Sequence, residues 1–452
     1  MASSSFDINQ WLEKIGFGRF HVLALLVIGL RPFSFASSSG FLIILEPYLR
    51  CQWNLRYFTA AWLALPEAIT NIAGSIILGK LSDRYGRRKI MLLAFTFNSY
   101  LTLLYLLSSN MLLMSAIRAI IGLVSSNVVI AFTYIMEILP VSKRKYMSLF
   151  EFAFCAGSGY SILVSMVSLE NLTWQWFGVF AETIPIALAA FAVGFLPESP
   201  RYLLSVGKDD EAKDTLQRIA KINVINDGYK PLLQKDSGEI NTEVPDHEDS
   251  NQQKNLSNIE IVKRIALVSF LQFYGNLLAG TMRFGSMQFG ENSDLSGCGM
   301  CSKGLAYKYR WAMVFAALCS SFPTYWLLNK VTRKMSFIMY FIYIAGSLIP
   351  FYWNIRGWPL VFATVLFSIS FCSMNIVVFV YRAELLPTSI RAFGCGISEA
   401  CGQIGLVFGQ FIAVYVYHKS VYLSFGILHC FTAIAFLAAI TVIIETKHDQ
   451  LK

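Results

Sequence analysis

Seven ionisable residues stand inside long apolar stretches of this sequence: Arg31, Glu67, Arg118, Glu151, Glu182, Arg283 and Glu399. A charge near the middle of a bilayer costs about 2.5 to 3.5 kcal/mol even on the milder scale, so each must face a partner or a wet cavity. Glu67 lies about halfway along its stretch and Arg118 within a later one, which leaves two readings open. They form a structural ion pair, or Glu67 is a proton acceptor. Glu151 and Glu399 fall near the cytosolic ends of their stretches, where a latch or snorkelling role is expected.

A second concentration of charge is Gly79-Lys80-Leu81-Ser82-Asp83-Arg84-Tyr85-Gly86-Arg87-Arg88-Lys89, with five basic residues and one acid between two apolar runs. Gly79 and Gly86 permit close backbone approach and a tight turn; Asp83 can accept from a neighbouring helix N-terminus, and Arg87 can pair with an acid. No G-x-x-x-x-G-K-[ST] and no zinc, flavin or nucleophile constellation occurs, so no enzyme, cofactor or metal is expected.

The elements that must position these residues follow from composition. The chain has 452 residues, 55% hydrophobic and only 14% charged, where a soluble domain carries about 25% charge. Twelve apolar runs are long enough to cross a bilayer as helices: 21–45, 57–79, 89–108, 111–136, 147–169, 174–196, 263–285, 309–328, 335–353, 358–381, 394–417 and 421–444. Basic residues gather in the even-numbered connections, as in Arg84 to Lys89, Lys143 to Lys145, Lys330 to Lys334 and Arg391. Such connections stay cytosolic, which puts both termini there. The net charge of +9 is therefore topological, and nucleic acid is not an expected partner.

Six of the nine cysteines (Cys155, Cys319, Cys372, Cys395, Cys401, Cys430) lie in apolar runs as small hydrophobes. Cys298 and Cys301 lie on an outer loop, where a disulfide, to each other or to Cys51, is open. Asn171-Leu172-Thr173 is an outer glycosylation sequon. Met1 to Phe20 does not read as a signal peptide. Between the sixth and seventh runs, Asp209-Asp210-Glu211 leading to Arg218 and Lys221 predicts a short helix, and Gln234 to Asn258 an acidic, disordered linker.

An internal repeat organises the whole. Tyr134-x-x-Glu137-x-Leu139-Pro140-x-Ser142-x-Arg144 recurs as Tyr381-x-x-Glu384-x-Leu386-Pro387-x-Ser389-x-Arg391, 247 positions on (134 to 381). Glu198-Ser199 recurs as Glu445-Thr446 at the same offset, and the charged stretch has a degenerate copy at Asn329-Lys330-x-x-Arg333-Lys334. Two homologous six-helix halves are implied, enclosing a central cavity between halves that can rock.

The motif at Gly79 to Lys89 resembles the loop between spans two and three of major facilitator superfamily transporters. Pro197-Glu198-Ser199-Pro200-Arg201-Tyr202-Leu203 resembles the P-E-S-P-R-x-L after span six in sugar porters, organic ion transporters and the synaptic vesicle 2-related group. Ile15-Gly16-Phe17-Gly18-Arg19-Phe20, the short Cys51-Gln52-Trp53-Asn54-Leu55 and the stretch Tyr381 to Ala392 look most like the last group.

The resemblance implies a cytoplasmic latch: Asp83, Arg87, Glu137, Arg144 and Glu198 in the first half, and Arg333, Glu384, Arg391 and Glu445 in the second, with Gly79, Arg84, Gly86, Arg88 and Arg201 around them. It also implies that spans one, four, seven and ten line the cavity, with help from others. That makes Arg31, Glu67, Arg118, Asn127, Tyr134, Gln272, Tyr274, Asn276, Asn375, Tyr381 and Gln403 substrate-binding candidates. Arg118 with Gly122 resembles part of a span-four motif of proton-coupled members. Departures matter as well: the acids of span one are replaced by Phe35 and Ser38, and Gln403 stands where organic ion transporters use a charge. Proton coupling through a span-one carboxylate is excluded.

The expected architecture is an all-α membrane protein of the major facilitator fold, with 12 transmembrane helices in two pseudo-symmetric halves. Its parts are a cytosolic segment 1–20, bundles 21–198 and 263–446, a cytosolic linker 199–262 and a tail 447–452. The expected function is secondary transport of a small organic solute by alternating access, as a monomer in a vesicle or plasma membrane, with a coupling ion left open. The alternative is a carrier fold kept as a non-transporting vesicle receptor or trafficking protein.

Overall fold

The computed structural model describes residues 8–53, 65–108, 110–223, 258–288, 303–352, 358–386, 390–416, 419–441 and 443. All twelve apolar runs are mainly helical where described, and no strand occurs among these residues. The first set comprises α1 (Ile8–Ile15), α2 (Arg19–Gln52), α3 (Leu65–Tyr85), α4 (Arg87–Leu106), α5 (Met111–Ser125), α6 (Val128–Ile138), a 3-10 segment Val141–Met147 and α7 (Ser148–Asn171). It continues with α8 (Trp174–Val193). Two short helices follow, α9 (Pro200–Ser205) and α10 (Asp209–Asn223). The second set is α11 (Asn258–Gln288), α12 (Lys303–Lys330), α13 (Arg333–Tyr352), α14 (Trp358–Leu385), α15 (Arg391–Phe411) and α16 (Val421–Thr441).

Eight of the described helical stretches are long and apolar enough to cross a membrane. The expected spans outside that set are α3, α12, α13 and α15. Within α3, Glu67, Lys80, Asp83 and Arg84 dilute the apolar sequence. Large apolar side chains such as Leu26, Leu112, Phe191, Phe322 and Leu437 stand exposed around the bundle. Such a belt fits hydrocarbon as its solvent. Inside, one apolar core runs through both sets, from Ile28 through Phe132 to Val377 and Tyr381.

The packing repeats with the sequence. α2 lies on α7 and α3 on α5; their counterparts α11 on α15 and α12 on α14 do the same. The two sets meet through α3 against α15 and α7 against α12, which are equivalent pairs under the duplication. α9 and α10 pack on each other through Tyr202, Leu203 and Ala212. The end of α10 returns to α2, where Phe20 N–H donates to Asn223 Oδ1 at 2.9 Å. The acidic stretch 234–258 lies almost wholly outside the described residues, as do Cys298, Cys301, Glu445, the tail 447–452 and the side chains of Cys51, Asn171 and Arg283.

Two of the expected spans are not simple α-helices. The fourth breaks between α5 and α6 at Ser126-Asn127, two weak helix formers in succession. The sixth carries a π turn at Val179–Thr183, directly before Pro185, whose missing N–H already interrupts the regular ladder. Pro32, Pro323 and Pro350 lie inside α2, α12 and α13, which run through them. Neighbouring groups in a packed membrane bundle can absorb the lost bond.

Candidate functional site

At the end where the charged motifs gather, α4 begins with no side-chain cap of its own. Glu198 supplies one from the other side of the half: its Oε1 accepts from the N–H groups of Arg87 at 2.9 Å and Arg88 at 3.0 Å. A carboxylate suits the positive end of a helix dipole. Gly86 makes room for it, with φ +106° and an added Cβ that would sit 2.5 Å from Glu198 Oε2. Ser199 caps α9 and donates to Glu137 Oε2 at 2.6 Å, while Arg201 Nε donates to the Glu137 carbonyl at 2.9 Å.

Glu137 and Glu384 are the centres of two equivalent clusters. Arg87 reaches Glu137 at 3.2 Å and Asp83 at 2.8 Å; Arg333 reaches Glu384 at 3.1 Å. The remaining two arginines correct the expected partition by half. Arg144 pairs with Glu384 at 3.5 Å, and Arg391 lies 3.9 Å from Glu137, so each crosses to the other half. A two-fold arrangement puts each repeat's arginine beside its copy's acid. Asp83 crosses as well, accepting from Phe393 N–H at 2.8 Å. Arg88 Nη2 donates to the Gly194 carbonyl at 2.6 Å. Arg84 is brought into none of these ion pairs: its side chain is exposed and lies over Tyr85.

Inside the first half, Arg118 faces two carboxylates, Glu67 at 2.7 Å and Glu182 at 2.7 Å. Gly122, one turn on, sets this distance, since a Cβ there would lie 2.3 Å from the Glu67 carbonyl oxygen. The Tyr105 ring lies 4.3 Å from the guanidinium, and Ser38 donates to Glu182. Ion pairing is therefore observed, with a second acid that sequence reasoning did not join to it. Glu182 Oε2 has no hydrogen bond.

The break in span four creates a neighbouring site. Arg31 donates to Asn127 Oδ1, to the freed Ser125 carbonyl at 2.6 Å and to Ser34 Oγ at 3.2 Å. It forms no ion pair among the described residues, and Asn127 Nδ2 is buried without a hydrogen bond.

In the second half the polar candidates are neutral amides. Gln272 and Asn276 of α11 lie against Gly402, and Asn375 faces Gly275. Gln403 donates to Glu399 at 3.1 Å, and Glu399 pairs with Arg382 at 3.3 Å, which is buried pairing in place of the expected snorkelling or latch. Arg382, also 3.9 Å from the Phe379 ring, was missed although it adjoins Tyr381 in the repeat. The tyrosines serve packing: Tyr134 donates to the Pro197 carbonyl at 2.7 Å, Tyr274 to Thr432 at 2.9 Å, and Tyr381 packs edge-on against Phe337.

The family described as "Sugar (and other) transporter" matches residues 37–452. The chain belongs to this family. Among relatives of this transporter, SVOPL of Mus musculus is 26% identical over 488 residues, covering 100% of this chain and 94% of its own length. The synaptic vesicle 2-related protein of Rattus norvegicus is 27% identical over 471 residues, covering 99% and 82%. The solved structure of the proton:xylose symporter XylE bound to 6-bromo-6-deoxy-D-glucose superposes with a TM-score of 0.72 at 19% identity, covering 97% of each chain. The transporter thus has the major facilitator fold.

Proposed function

We propose that this chain is a secondary carrier of a small organic solute, working by alternating access with its motif ends in the cytosol. The observation that carries this is the crosswise pairing of Arg144 with Glu384 and of Arg391 with Glu137. Rocking the halves apart breaks both contacts while Arg87 and Arg333 keep each acid paired. No carboxylate is stranded, so the two states stay within a few kcal/mol of each other, as a reversible switch needs.

Two further features support the reading. Glu67 and Glu182 share Arg118, with Arg31 close enough to act on Glu67, and a proton neutralises whichever carboxylate lets go of Arg118; this makes the cluster the proposed coupling site. Gln272, Asn276, Asn375 and Gln403 offer donors and acceptors without charge, suited to a hydroxyl- or carbonyl-bearing solute. In liposomes the purified protein is expected to show saturable uptake and trans-stimulation, with Glu384→Ala slowing exchange at least about tenfold, equal to 1.4 kcal/mol of barrier. Uptake equal to that of empty vesicles across a broad solute panel would sink the carrier reading. The second reading, a non-transporting receptor, draws on the decayed motif at Asn329 and Thr332. Arg333 nevertheless repeats the contact of Arg87 there.

A further inference from the structure

Glu151 is a buried acid outside every ion pair among the described residues. It is 2% exposed, and its Oε2 has no hydrogen bond. The basic residues nearest in sequence are engaged elsewhere, Arg144 with Glu384 and Lys145 over the rings of Tyr146 and Tyr325.

What surrounds Glu151 comes mostly from the other half. On its own helix stands Cys155, within reach of Cys372 of α14. α12 contributes Ser320, which donates to Oε1, and Thr324. α13 contributes Tyr340, whose buried Oη lies near Thr324 and Ser373 without a hydrogen bond of normal geometry. α14 contributes Ser373. Thr324 and Ser373 both give their protons to the Ser320 carbonyl, at 2.8 and 3.3 Å. With their protons directed there, the lone pairs of Thr324 and Ser373 face this space. A carboxylate oxygen beside lone pairs in a dry interior is repulsive unless a positive charge lies between them. One carboxylate balances one unit of charge, and hard cations take oxygen ligands of this kind.

We propose that Glu151, Thr324, Ser373 and Tyr340 form a second monovalent-cation site, filled by a sodium ion or a proton and complete only while α7 and α12 are in contact. The acid belongs to one half and the other oxygens to its partner half. Cation binding therefore favours the state in which the halves meet at the motif end, and parting them releases the ion. This site is distinct from the Arg118 cluster and does not depend on which solute is carried.

The test uses the full chain in nanodiscs of neutral lipid, followed by thermal unfolding. At pH 8.5, replacing choline chloride with sodium chloride at constant ionic strength is expected to raise the wild-type midpoint saturably. Glu151→Gln should lose that response and unfold at or above the ion-free wild-type midpoint. Tyr340→Phe, which keeps the carboxylate, should weaken apparent sodium affinity at least threefold. If sodium is inert but acidification to pH 5.5 stabilises wild type clearly more than Glu151→Gln, which keeps the response of Asp83, the charge is a proton and the site stands. Identical responses of wild type and Glu151→Gln to both ions overturn it. Should Glu151→Gln fail to fold, unchanged sodium and pH responses in Tyr340→Phe overturn it equally.

Discussion

Glu137 gathers side-chain partners from both halves at the motif end: Arg87 and Ser199 within its own half, and Arg391 from the opposite one. Removing a buried carboxylate from such a cluster leaves its cations in low dielectric. Glu137→Ala is expected to cost about 3 to 5 kcal/mol, read as a lowered unfolding midpoint in detergent. Arg144→Ala should cost clearly less, because Glu384 keeps Arg333. The residues of this cluster were legible in the sequence, since acids that recur in register serve no topological purpose. Their pairing was not. A repeat shows that two copies exist, but only the packing of α3 on α15 and α7 on α12 decides which arginine meets which acid.

At the scale of elements, contact between the halves depends on small residues. A Cβ on Gly79 would lie 2.6 Å from the Ala392 carbonyl oxygen, and one on Gly396 would lie 2.4 Å from that of Ser75. Backbone cannot yield there, so Gly396→Val is expected to force α3 and α15 apart. Cys395, the neighbour of Gly396 and buried against Val129 and Leu386, reports this: alkylation located by mass spectrometry should quicken at least about fivefold, the equivalent of 1 kcal/mol. An unchanged rate would mean that α3 and α15 part without help from the substitution. Helix existence was readable from apolar runs, because each is long and uninterrupted. The break at Ser126-Asn127 was not, since a single pair of weak helix formers does not predict where a span yields.

For the whole molecule, pH should bias the balance between states. Burial raises the Asp83 carboxyl from 3.8 to about 6, against the opposing pull of Arg87 and the Phe393 amide. The motif-closed state therefore holds this proton more tightly than an open or unfolded one. Its advantage is complete below about pH 4 and is lost as pH rises through about 6. Spin labels at positions 80 and 330, with native cysteines replaced, should show the short-distance population growing as pH falls through 6. Asp83→Asn should flatten that response; a profile unaltered by it would assign the effect to another group. The two-fold architecture was plain from the 247-residue offset, whereas the second acid on Arg118 was not, because Glu67 and Glu182 lie far apart in sequence. The π turn at Val179–Thr183 carries one consequence more. One end of its helix is held where Trp174 meets Trp53, and the other leads to Glu198 on the α4 terminus. Such a bulge can migrate by one residue, swivelling the segment through roughly 100° while both anchors stay in place. Glu182 rides on that swivel, so it can let go of Arg118 without any rigid-body displacement of its helix.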